Sequence, residues 1–185
     1  MSLAEERLEL NTKNLVLMAM LVAVGAALYL IIPGINGGMK PDFMLTMMFI
    51  GILLFRDVKS VFILTIATGV LSGLFSTFPL GFLPNIVDKL ITGFVFYAVI
   101  KLFKSISSNL IASTVLVGLG TLLSGFIFLS VAIFILAVDI PFTLLYAILT
   151  VVLPTVALNG IAFFLINPIV TKILERSSFH KPVTN

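Results

Sequence analysis

Asn85, Asp88, Lys89 and Thr92 recur at i, i+3, i+4 and i+7 inside an apolar stretch, so on a helix they share one face. Ionisable groups at a membrane boundary are costly unless they are paired or used. A fixed acid and base on one face suit a zwitterion, the acid facing an ammonium and the base a carboxylate. The same spacing also fits a structural Asp–Lys pair or a solvated helix end. Lys40 and Asp42 form a second pair of opposite charge, with Asp42 at the start of an apolar run, where a carboxylate caps a helix and complements its dipole. Asn159 stands deep enough in the last apolar run that its amide needs a partner, either a neighbouring helix or a ligand. Met39, Phe78, Phe82, Phe142 and Tyr146 lie on the adjoining loops and could wall an apolar pocket, although most of the 17 Phe belong to packing.

These groups stand out because the rest of the chain is so apolar. Of its 185 residues 60% are hydrophobic and 10% charged, with a mean hydropathy of +1.25, far from the roughly 25% charge of a soluble domain. An all-α integral membrane protein follows, one transmembrane domain over residues 1–185. Cysteine is absent and the single histidine, His180, is in the tail, which argues against a disulfide framework and a metal site. The N-terminal SLAEERLEL is acidic and mixed, unlike a secretory signal, so the first span is expected to be retained. The net charge of +3 is scattered singly at span ends, a membrane-topology pattern with no nucleic-acid footprint.

Six transmembrane spans are expected, at about 14–32, 41–55, 61–77, 85–103, 110–137 and 154–174, with a short outer helix over 142–153. The second is short, roughly 22 Å at 1.5 Å per residue, so it must be shielded by neighbours or extended by the loop before it. Thr65, Thr68, Gly69, Ser72, Gly73 and Ser76 give the third span a small, weakly polar stripe that should face inward, and Gly118, Thr121, Ser124 and Gly125 do the same in the fifth. In the first, Ala19, Ala23 and Ala27 share a face on which another helix backbone can approach closely, either this protein's own or a partner's. Pro154 fits the first turn of the sixth span. With both termini cytoplasmic, nine basic residues fall inside and only Lys40 and Lys89 outside, as the positive-inside rule requires. The chain has no HExxH, GxSxG or phosphate-binding loop, so no enzymatic activity is expected, and energy from ATP would need a partner.

The alanine pattern of the first span resembles the docking motif of the substrate-binding S components of energy-coupling-factor (ECF) transporters, six-helix proteins of this topology. GGMKPDFMLTMMFIGILLF, FPLGFLPNIVDK, LSGFIFLS, VLPTVALN and NPIVTKILERSSF resemble the tryptophan transporter family TrpP of Gram-positive bacteria, from about Asn14 to Phe179. The resemblance implies a cell-membrane protein that binds tryptophan in the outer half of the bundle, without a cofactor. Its implied partners are a membrane coupling subunit, which meets Ala19, Ala23 and Ala27, and two cytoplasmic ATPases. On this reading Asp88 takes the ammonium, Lys89 the carboxylate, and Asn159 the indole N–H or the carboxylate. Asn85 and Lys40 complete the polar set, and Met39, Phe82 and Tyr146 supply walls. Competing readings are an S component for another aromatic or vitamin ligand, a solitary ion-coupled transporter, and a membrane scaffold. The lack of an acid deep in a span speaks against the ion-coupled one.

Overall fold

The computed structural model describes residues 12–32, 41–139 and 143–176. They form six helices that alternate in direction: α1 (Thr12–Ile31), α2 (Phe43–Leu54), α3 (Val58–Leu74), α4 (Phe82–Leu102), α5 (Leu110–Ile135) and α6 (Leu144–Arg176). A 3-10 turn over Lys104–Ser108 joins α4 to α5, and no strand occurs among the described residues. Helices α1, α4, α5 and α6 are each long and apolar enough to cross a bilayer.

The shortest helix is at the centre. α2 rises roughly 18 Å at 1.5 Å per residue, too little for the hydrocarbon core. Every residue from Phe43 to Leu53 is buried, so its neighbours supply the shielding that its length demands. Asp42 fixes its start, the carboxylate accepting the Leu45 N–H at 2.9 Å. Phe49 of α2 stacks on Phe96 of α4, ring centroids 4.2 Å apart, in the middle of the largest apolar cluster.

Small residues decide how α3 and α4 meet. Thr65, Thr68, Gly69, Ser72 and Gly73 are buried, the inward stripe expected of the third span. A β-carbon on Gly69 would come within 2.9 Å of the Ile86 Cα, and one on Gly73 within 3.0 Å of the Phe82 Cα. The two backbones are therefore in contact along this stripe, which sets the depth and rotation of α4.

The last two spans differ from expectation. The separate outer helix expected over 142–153 and the span expected over 154–174 are one helix, α6, 33 residues long and described from Leu144 onward. Pro154 was expected to start a helix because it lacks the N–H that an interior position needs. Here a π-helical turn over Ile148–Val152 precedes it, and the wider pairing of that turn lets the helix run on. The Thr150 and Thr155 hydroxyls donate to the Tyr146 and Val151 carbonyls at 2.7 and 2.8 Å, serving two backbone acceptors in the turns before the proline. A matching π turn, Val131–Ile135, ends α5, and Leu129, Ala147 and Val152 hold the two tips together in a small apolar cluster of their own.

Candidate ligand site

At the end of the bundle where α2 and α4 begin and α1 and α3 finish, four helices converge on one ion cluster. α4 carries Asp88 and Lys89 seven and eight residues into its length, both buried. The Lys89 ammonium donates to Asp88 Oδ2 at 2.7 Å, to Asp42 Oδ2 at 3.0 Å and to Ser124 Oγ of α5 at 3.3 Å. Ser124 donates in turn to Asp88 Oδ2 at 2.8 Å, and Thr92, one turn along α4, donates to Asp88 Oδ1 at 2.9 Å. α6 joins through Asn159, whose Oδ1 accepts the Asp42 backbone N–H at 2.7 Å while its Nδ2 donates to Thr121 of α5 at 3.1 Å.

Charges out of water persist only when paired and hydrogen-bonded, and removing one partner of such a pair typically costs about 3–5 kcal/mol. The cluster meets that condition and thereby ties the start of α2 to α4, α5 and α6. Its described members are two carboxyl groups and one ammonium, so with both acids ionised one negative charge is left over. That charge is nearest to water at Asp42, whose side chain is 26% exposed against 1% for Asp88.

The sequence reading and the geometry agree on which residues gather and differ on what each is free to do. Asp88, Lys89 and Thr92 share a face and Asn159 joins them. Asn85 is buried beside this face, but its amide donates to the Gly81 carbonyl at 2.7 Å, closing the first turn of its own helix. Phe82 and Tyr146 are about half exposed, at 45% and 55%, while the cluster is buried. Met39, Lys40 and Phe142 lie outside the described residues.

By its place ahead of an apolar run, Asp42 is expected to cap a helix. It is a cap, and it is also the second carboxylate on Lys89. The signal was the second charged pair just ahead of an apolar run too short to span. Ser124 and Thr121 were legible as a small face of the fifth span without their hydrogen-bonding role. Tyr29, half-buried near the end of α1, lies within electrostatic reach of Asp42 and Lys89 and had no signal beyond its place near a span end. Elsewhere, Thr114, Gly118, Val156, Ala157 and Gly160 line an open groove of about 440 Å³ between α5 and α6. Its apolar lining separates it from the ion cluster, and it has no group that would hold a zwitterion.

The chain matches the family described as tryptophan transporter TrpP over residues 11–175. A probable tryptophan transport protein of Bacillus subtilis is 49% identical over 170 residues, covering 92% of this chain and 97% of the relative. A protein of the same description from Clostridium perfringens is 38% identical over 181 residues, covering 91% and 96%. No solved structure gives a significant match. The family is one of transporters, and with four helices long enough to cross a bilayer the chain is a multi-pass membrane protein. On the family match and the near full-length identity to these relatives, the chain belongs to the tryptophan transporter TrpP family.

Proposed function

We propose that this protein binds tryptophan at the outer end of the bundle and takes it up as the S component of an ATP-driven ECF-type importer. The observation that carries the binding claim is the buried Asp88–Lys89 pair with the partly exposed Asp42 beside it at one bundle end, in a chain whose relatives are described as tryptophan transport proteins. An amino acid zwitterion needs charged groups, and here they are held by four helices at once. Asp88 and Lys89 remain the core of the proposed site, with Asn159 fixing the start of α2 beneath the ligand, Asn85, Phe82 and Tyr146 around its mouth, and Lys40 and Met39, outside the described residues, as further proposed contacts. The orientation, with both termini cytoplasmic, belongs to the same proposal. Ala19, Ala23 and Ala27 are exposed, while the opposite side of α1 packs Met18, Leu21, Val22, Gly25 and Ala26 inward. That supports a partner helix on the alanine face, because the protein's own helices leave it uncovered. A coupling subunit with two ATPases is the partner proposed.

The test uses the composition. The chain contains no tryptophan, so indole fluorescence from purified, ligand-stripped protein reports added ligand alone. Saturable binding of tryptophan, without binding of phenylalanine or riboflavin, is expected. A folded, monodisperse protein that binds no tryptophan sinks the substrate claim.

A specific observation also favours a second reading. Asp88 is a fully buried acid within a span, the feature that an ion-coupled transporter uses and that the sequence did not reveal. Tryptophan uptake by cells lacking any ECF ATPase, abolished by a protonophore or by sodium removal, would replace the ATP-driven reading with this one.

A further inference from the structure

The ion cluster constrains which end of a zwitterion it can hold. Among the described residues every N–H of the Lys89 ammonium has a protein acceptor: Asp88, Asp42 and Ser124. The Asn159 amide is engaged at both its oxygen and its nitrogen. Asp88 accepts three hydrogen bonds, from Lys89, Ser124 and Thr92. Asp42 is the exception. Among the described residues its two oxygens accept one bond each, from Leu45 and Lys89, against roughly four acceptor positions on a carboxylate, and it is the most exposed of the three charged groups. With both acids ionised, the described members of the cluster carry a surplus negative charge. A group that completes both the charge and the hydrogen bonding is a cation that donates.

A buried hydroxyl points the same way. α3 and α4 run antiparallel, with Gly73 against Phe82, Gly69 against Asn85 and Ile86, and Thr65 against Gly93. Thr68, on the same inward stripe, is thus at the depth of Asp88 and Lys89. It is fully buried, and its hydroxyl has no hydrogen-bond partner among the described residues. A buried polar atom left unpaired calls for a partner that the described residues do not supply.

We infer that this site selects its ligand by the primary ammonium group, that Asp42 makes the direct contact, and that Lys89 is a positioning residue holding the two carboxylates together. The inference rests on the tryptophan-binding reading and changes its roles: the carboxylate of the ligand is secondary, and Lys89 does not pair with it.

Three indoles separate the possibilities on the full-length protein in detergent. Tryptophan carries both charges, tryptamine the ammonium alone, and indole-3-propionate the carboxylate alone. Tryptamine is expected to bind within about ten-fold of tryptophan, and indole-3-propionate at least about 30-fold more weakly, the scale of losing one partner of a desolvated charge pair. Asp42→Asn keeps a good N-cap for α2 and removes the surplus charge. It should weaken tryptophan and tryptamine by a similar factor of at least about 30 and leave indole-3-propionate unchanged. Indole-3-propionate binding as tightly as tryptophan overturns the inference, and so does tryptamine affinity unaltered by Asp42→Asn. Sodium-dependent binding of indole-3-propionate would assign the surplus charge to a metal cation and likewise overturn it. Tryptamine binding without tryptophan binding breaks the substrate reading and leaves the ammonium inference standing, whereas binding of neither breaks both.

Discussion

Two stripes of small side chains, alike in spacing, have opposite fates. Thr65, Thr68, Gly69, Ser72 and Gly73 on α3 are buried, Gly69 and Gly73 against the α4 backbone, whereas Ala19, Ala23 and Ala27 on α1 are exposed. The difference lies in the smallest residue. Glycine lets backbones touch, so Gly69 and Gly73 lie close against the Ile86 and Phe82 main chain, while on α1 it is Gly25, on the other side, where an added β-carbon would come within 3.0 Å of Phe43 O and 3.1 Å of Met44 Cα. At these three positions glycine marks an intramolecular seam, whereas the alanine stripe stays exposed among the described residues, as its proposed docking role requires.

Breaking the α3 seam should have the largest effect. A leucine at Gly69 would place its first carbon against main-chain atoms of Asn85 and Ile86, which cannot rotate away. Overpacking of this kind costs about 1–3 kcal/mol or more, and here it also shifts the helix that carries Asp88 and Lys89. Gly69→Leu should therefore lower the melting temperature in detergent and abolish ligand binding together. Retention of either property would mean that the α3–α4 seam does not position the site.

On α1 the corresponding change should leave the protein itself intact. Ala23→Leu adds volume on an exposed face, where surface changes typically stay within about 0.5 kcal/mol. Melting temperature and tryptophan affinity should match the wild type, while co-purification with an ECF coupling subunit falls. Unchanged co-purification would remove the alanine face from the proposed docking surface.

The seams and the site were not equally legible in the sequence. Helical periodicity, caps and the short second span follow from local residue types, so the six helices and the face shared by Asp88, Lys89 and Thr92 could be read directly. The second partner of Lys89, Asp42, could not. Asp42 is 47 residues away in the chain, and only the buried, central position of α2 brings its cap beside α4. The continuity of α6 was hidden for a different reason. Proline is the strongest local signal for a helix boundary, and a π turn that absorbs it depends on packing against the tip of α5.

A third set of small residues makes the finest distinction. Gly118 of α5 and Gly160 of α6 line the open groove, where an added β-carbon would meet only Val156 Cγ1 at 3.5 Å and Thr114 Cγ2 at 3.8 Å, ordinary van der Waals distances. These glycines mark no seam. Glycine within a helix is less favourable than alanine by roughly 0.5–1 kcal/mol, so Gly118→Ala and Gly160→Ala should each be neutral or slightly stabilising in a thermal melt, with tryptophan binding unchanged. If either variant keeps its melting temperature yet loses uptake, the groove is used by a partner. The division between glycine seams within the protein and an alanine face for others would then have to be redrawn.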